Sequence, residues 1–382
     1  MRITNVNTYI VGNPWKNWVF AKVQTDDGIY GIGEGTVMYF AKTVESAIQE
    51  LAPFIIDMDP TQVELILQKL VRDPYADGAQ IHMAAVAAIE MACWDILGKA
   101  LNQPIYNFWG GRCHDRLRAY ANGWYRGERT AALFAARAKE VVARGYTALK
   151  FDPFGNAWRT LSSREFAVSM EIIAAVRSAV GPEVDVLIEA HSRFSPSTAI
   201  QVAKAIEPFR PMWFEEPVHH GNIGALVEVA RQSPVPIATG ESFSSKYQFA
   251  ELLKHDVVSI CQPEPLNLGG LFAARKIVDM IDAHYGVVAP HSAQGPVASA
   301  ACVQLNACTP NFLIHEFFDD FNDSWEKHMV HFPVEVVDGY VMISDRPGLG
   351  TDLNLEEMAK HPYSHQFHLP LFKAGWEKRE AQ

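Results

Sequence analysis

Apolar and polar positions change rhythm twice along this chain. "ITNVNTYIV" and "NWVFAKVQTDDGIYGIGEG" alternate as strands do, the second folding back over the turn-forming "DDG", and together they predict a β-meander. From Thr43 to Leu101 the period becomes helical and closes in "MAAVAAIEMACWDILGKALNQP", where Pro104 follows the last apolar turn. Beyond "GGRCHDR", short apolar runs alternate with longer helical stretches such as "TAALFAARAKEVVARG" and "SREFAVSMEIIAAVRSAVG", the rhythm of parallel βα units. Eight runs qualify as strands: "LRAYANGWY", "ALKFD", "VLIEAH", "MWFEEP", "PIATGE", "VVSICQP", "GVVAPH" and "FLIHEF". Eight such units fit a closed barrel better than an open sheet, so the fold class is α/β.

In a barrel of this kind the active site gathers at the C-terminal ends of the strands. Here the runs end in Lys150 and Asp152, Glu189 and His191, Glu215 and Glu216, Glu241, Glu264, His291 and Glu316. Side chains two apart on a strand point the same way, so Glu189 and His191 of "VLIEAHSRF" are expected to face one space. Glu189, Glu215 and Glu241 stand 26 residues apart, one βα unit per step, and are expected at the same point of their units. Any one of them alone would ordinarily be a solvated rim residue or a helix-starting acid. Three in step, beside a histidine, point to a metal site, because converging carboxylates repel one another unless a cation lies between them. Oxygen ligands without cysteine favour magnesium over zinc. Alternation turns Glu216 away from that site, and His219 and His220 in "PVHHGN" are expected at the surface or the substrate rim. His291, at the end of "VVAPH", stands where a titrating base is useful.

Composition narrows the field further. A formal charge of −11 without a basic stripe argues against a nucleic-acid surface. Cys93, Cys113, Cys261, Cys302 and Cys308 are scattered and lack zinc-ligand spacing, which suits a reduced, cytoplasmic setting. The opening "MRITNVNTYIVGNPW" has no charged-then-apolar leader, and no apolar run is expected to reach membrane length, so neither membrane nor nucleic acid is an expected partner.

Together these residues resemble the enolase superfamily, in its mandelate racemase/muconate lactonizing enzyme branch, over essentially the whole chain, including "PGLG" at 347–350. The resemblance implies a modified TIM (β/α) barrel with an α+β capping domain, the cap spanning 1–116 and completed by 351–382, and the barrel spanning 117–350. "WFEEP", "ATGES", "APHSAQGP" and the histidine two residues after the first ligand look like the sugar-acid dehydratases of that branch, and "YANGWY" and "LKFDPFG" look like gluconate- and galactonate-type ones. The same resemblance implies a Mg2+-dependent hydro-lyase for a small sugar acid, an aldonate such as gluconate or galactonate or else an aldarate. It would remove the α-proton and eliminate the β-hydroxyl to give a 2-keto-3-deoxy acid. Matched by motif, Glu189, Glu215 and Glu241 hold the metal, His291 is the base, and His191 is the acid assisting the leaving hydroxyl. Glu316, when protonated, donates to the substrate carboxylate, and Glu264 stands where relatives place an aspartate that orients the base. Members of the family are commonly homo-oligomers, and the same is expected here.

Racemases of the branch carry Lys-x-Lys on the second barrel strand, whereas this chain has Lys150-Phe151-Asp152, and loss of the second lysine favours elimination over two-base racemisation. Lys150 and Asp152 are expected among the substrate-binding residues, with Trp15 and Lys16 of "GNPWKNWV" and Tyr75 of "RDPYADGAQ" reaching the polyol from loops of the cap. Rival readings are an acid-sugar epimerase or cycloisomerase, and a non-catalytic metal-binding barrel. An epimerase would return α-exchanged substrate instead of a keto acid, and the presence of both histidines argues against the non-catalytic barrel.

Overall fold

The computed structural model describes residues 1–76 and 78–379. The meander forms as an antiparallel sheet of β1 (Ile3–Val11), β2 (Trp18–Thr25) and β3 (Tyr30–Glu34), with Gly28 of "DDG" in the left-handed region at φ 89°. Onto it pack α1 (Ala41–Leu51), α2 (Val63–Arg72) and α3 (Ala79–Leu101). Gly31 and Gly33 let α3 lie directly on β3, since a Cβ at either place would strike the carbonyl of Ala92 or Ala88. Contrary to the expectation that no apolar run reaches membrane length, α3 is long and apolar enough to cross a membrane. Its continuous buried stretch from Ala84 to Ile96 makes it the core helix of this layer instead.

The second part closes into a barrel. Its strands are β4 (Arg116–Ala121), β5 (Ala148–Phe151), β6 (Asp185–Glu189), β7 (Trp213–Glu215), β8 (Ile237–Thr239), β9 (Ile260–Cys261), β10 (Val287–Val288) and β11 (His315–Phe317). Neighbours in sequence pair in parallel, β11 returns to pair with β4, and Val288 bridges Phe312 to complete the ring. The crossovers are α4 (Ala131–Ala143), α5 (Ser163–Val180), α6 (Pro196–Ile206), α7 (Ile223–Gln232), α8 (Lys246–Leu253), the pair α9 (Pro265–Leu268) and α10 (Leu271–Ala283), and α11 (Pro296–Ala307). After β11, a hairpin of β12 (Val336–Val337) and β13 (Tyr340–Met342) pairs antiparallel with β4 where an eighth helix would lie.

Several helices start where a side-chain cap is available. Thr130, Ser162, Ser195 and Asn222 accept backbone N–H bonds at the starts of α4, α5, α6 and α7, and Ser162 with Glu165 has the capping-box spacing. The barrel interior is a separate packed core with one residue from each strand or the position next to it: Tyr120, Ala148, Leu187, Trp213, Ala238, Ile260, Ala289 and Ile314. Large Tyr120 and Trp213 meet edge to face across it at 5.6 Å, and the alanines leave them room. The C-terminal segment crosses back over both parts. Gly12 N–H donates to His361 O at 2.8 Å, Asn17 Nδ2 to Ser364 O at 2.8 Å, and Trp376 Nε1 to Gly155 O at 3.0 Å.

His315 in β11 is fully buried, and burial lowers its pKa to about 4. A depressed histidine favours the fold while it stays neutral, so this contribution is present above the unfolded value near 6.5 and is lost as pH falls toward 4. Between pH 7 and pH 5 the loss on this account is about 2 kcal/mol. Denaturant unfolding at the two pH values checks it: His315→Gln is expected to show a smaller drop than the wild type, and an equal drop would contradict the assignment.

Candidate active site

The barrel core builds the site by alternation, because the residue two positions above each core side chain points into the same space. Those residues are Asn122, Lys150, Glu189, Glu215, Gly240, Gln262, His291 and Glu316. Glu189 and Glu215 are direct neighbours in register on β6 and β7. Glu241 differs from the expectation of an equivalent point in its unit. On β8 that point is Gly240, whose φ of 122° turns the chain and brings in the next side chain.

Carboxylate oxygens of Glu189, Glu215 and Glu241 lie within 4.8 Å of one another. Burial raises all three pKa values, to about 7 for Glu189, about 8 for Glu215 and about 7 for Glu241, and repulsion among them adds to the rise. Lys150 partly offsets this charge, its Nζ lying 2.5 Å from Glu215, 3.0 Å from Glu316 and 3.4 Å from Glu189. Burial opposes the Lys150 charge, but these carboxylates outweigh burial and hold its pKa well above the usual lysine value. Three crowded oxygen donors facing a single ammonium suit a hard cation, so this donor set fits a divalent metal. Glu216 turns away as expected and ties strand ends together, accepting from Ser192 Oγ, Thr239 Oγ1 and Gly240 N–H at 2.7–2.8 Å.

Across the mouth, His291 Nδ1 donates to Glu264 Oε2 at 2.6 Å, so the longer acid does reach the imidazole. This leaves Nε2 toward the cavity, 3.6 Å from Glu241 and 3.9 Å from Glu316. Burial pushes the His291 pKa down, but Glu241, Glu316 and Glu264 overcome it and raise the pKa to about 10. Glu316 accepts from Ser292 N–H and Asn122 Nδ2 at 2.8 Å each, besides Lys150. Burial opposes its ionisation, yet Lys150 and His291 hold the carboxyl well below its usual range. The expected role of a protonated donor does not match these surroundings, because Ser292, Asn122 and Lys150 all donate to it.

His191 reaches the cavity by a different route from the one expected. β6 ends at Glu189, and His191 and Ser192 come next in a turn with φ of 46° and 58°. His191 N–H donates to Glu189 Oε1 at 2.6 Å, and its ring Nδ1 to Asp152 Oδ2 at 2.6 Å. Asp152 is therefore a positioning residue. The substrate-binding role expected of it fails because it is fully buried and its oxygens are taken by His191, Arg193 and Phe154 N–H. Burial opposes its ionisation, but Arg193 and His191 outweigh it and hold the carboxyl below its usual range.

A cavity of about 440 Å³ lies above these groups, and Lys150, Glu189, His191, Glu241 and His291 all line it. The cap contributes Trp15 and Lys16. Trp15 stacks on Phe318 with centroids 4.9 Å apart, and Lys16 Nζ donates to Ala293 O and Gln294 Oε1 in the loop after His291. Tyr75 is outside the cavity and 98 % exposed, so the contact expected of it does not form; the loop carries its ring outward. His219 and His220 are at the rim. Several site residues carried no signal of their own in the sequence: Asn122, which holds Glu316; Trp124, whose Nε1 donates to Lys150 O at 2.8 Å; and Trp376 and Arg379 of the C-terminal segment. The motif "YANGWY" pointed to the first two only by likeness.

Comparison with known proteins agrees with this geometry. Residues 8–110 match the family described as mandelate racemase / muconate lactonizing enzyme, N-terminal domain, and residues 133–358 match the enolase C-terminal domain-like family. A D-gluconate dehydratase of Thermoproteus tenax is 36 % identical over 349 residues, covering 91 % of this chain and 70 % of that protein. A D-gluconate/D-galactonate dehydratase of Picrophilus torridus is 32 % identical over 369 residues, covering 94 % of each. Among solved structures, a mandelate racemase/muconate lactonizing enzyme-like protein from Roseovarius sp. TM1035 superimposes with a TM-score of 0.91 at 30 % identity, over 98 % of this chain and 99 % of that one.

Proposed function

Because this chain belongs to the mandelate racemase/muconate lactonizing enzyme family of enolase-like proteins, we propose that it is a hydro-lyase that dehydrates a sugar acid, an aldonate such as gluconate or galactonate or else an aldarate. One observation carries the reading: two histidines, each with its Nδ1 tied to a carboxylate, turn their other nitrogen toward one cavity beside a cluster of three glutamates. Glu189, Glu215 and Glu241 would hold Mg2+, which supplies positive charge against the substrate carboxylate as its α-proton leaves.

The chain's own groups do the rest. His291 Nε2 takes the α-proton when the ring is neutral; Glu264 then holds the proton on Nδ1, and a cation held by Glu189, Glu215 and Glu241 would offset the carboxylate charge, Glu241's above all, that raises the His291 pKa. Lys150 lies where it supports the negative charge that develops on the carboxylate oxygens. The C–O bond at the β-carbon then breaks, and His191 Nε2 gives its proton to the departing hydroxyl, which leaves as water. Tautomerisation of the enol, with a proton delivered to the β-carbon, yields the 2-keto-3-deoxy acid. Asp152 occupies the place of the second lysine of a two-base racemase and is committed to orienting His191, which supports elimination over epimerisation. Within this proposal the chain divides into a cap over residues 1–116, completed by 351–382, and a barrel over 117–350.

The test is a magnesium-supplemented panel of aldonic and aldaric acids followed by proton NMR. A 2-keto-3-deoxy product is the expected outcome. Substrate returned with exchanged α-hydrogen and no keto acid would make the protein an epimerase.

A further inference from the structure

The C-terminal segment brings a buried cation, Arg379, to the cavity. Arg379 is 7 % exposed and lines the same cavity as His191 and Glu241. Its guanidinium is walled by Phe318 at 5.0 Å, Trp15 at 5.2 Å and Tyr125 at 5.4 Å. Its Nε is buried with no hydrogen-bond partner, and although the Tyr125 hydroxyl and the charge of Glu326 offset part of its burial, no ion pair to it forms among the described residues. Other buried cations here are accommodated: Arg193 pairs with Asp152, Lys150 with three glutamates, and Lys16 bonds to Ala293 O and Gln294. Buried charge is normally paired, and aromatic faces offset only part of its desolvation.

Arg379 also lies next to the reaction. Its backbone N–H donates to Trp376 O at 3.0 Å, and the Trp376 ring stands edge-on to His191 with centroids 6.1 Å apart. The part of the substrate beyond the β-carbon handled by His191 therefore meets this wall. A neutral terminal alcohol would leave the guanidinium without an ion pair, whereas a carboxylate matches its planar fork.

We propose that Arg379 binds a second carboxylate at the far end of the substrate, so that the preferred sugar acid is a dicarboxylate. This rests on the dehydratase reading of the same cavity. The test uses matched pairs, galactarate with galactonate and glucarate with gluconate, and measures kcat/KM for the wild type, Arg379→Gln and Arg379→Lys. The wild type is expected to prefer the diacid of at least one pair. Arg379→Gln should lower kcat/KM for that diacid about 100-fold and for its monoacid by no more than about 10-fold, with Arg379→Lys recovering part of the difference. Equal losses on both acids, as from a merely structural residue, or a wild type that prefers the monoacids, would overturn the proposal. If neither class is dehydrated, the dehydratase reading fails. Calorimetry then decides for Arg379: diacid binding weakened in Arg379→Gln upholds the site, and absent or unchanged binding overturns it.

Discussion

Replacing His291 by asparagine is expected to abolish both dehydration and exchange of the substrate α-hydrogen with deuterated solvent, whereas His191→Asn should lose dehydration and retain exchange. The difference arises from which bond each ring can serve. With Nδ1 bound to Glu264, His291 offers Nε2 from the β10 side of the mouth, and an amide in its place cannot accept a proton. In the proposed reaction His191, bound to Asp152, would act on the leaving hydroxyl after the α-proton has gone, so its loss should leave His291, the three glutamates and Lys150 in position. A general acid contributes ~100- to 10,000-fold, so residual elimination in His191→Asn should be slow but measurable. Exchange and elimination are followed by proton NMR in the same sample, once each variant is shown to bind the metal. Exchange at the wild-type rate in His291→Asn, with none in His191→Asn, would reverse the two roles.

The second large effect is expected from Glu215→Gln, which should weaken magnesium binding and reduce turnover by on the order of 1,000-fold or more, since several kcal/mol of charge stabilisation depend on the cation. The amide matches the glutamate in size but removes one of three negative charges. It also sets an N–H group against a donor, because one carboxylate oxygen of Glu215 faces Lys150 Nζ and the other accepts from Trp213 Nε1 at 2.7 Å. Metal affinity is measured by calorimetry, with the melting temperature without metal as a control for folding. Full activity of the variant in the presence of a chelator would remove the metal assignment.

The sequence by itself determined the barrel and most of the polar groups gathered at its mouth. Strand period and helix spacing are local properties, and within a strand side chains two apart share a direction, so Lys150, Glu189, Glu215 and Glu316 were legible from position alone, and His291 by following the apolar run "VVAPH". Glu241 was legible by its 26-residue step, although it enters from the turn at Gly240. Only the tertiary structure decided what lies beyond the ends of the strands. There the pleat no longer governs direction: His191 turns in through a left-handed step, Asp152 is drawn to it and to Arg193 instead of to substrate, and Tyr75 faces outward. Arg379 is separated by more than 250 residues from Tyr125, which flanks it. No local periodicity encodes such a meeting, because it depends on the path of the C-terminal segment back across the cap and the barrel mouth.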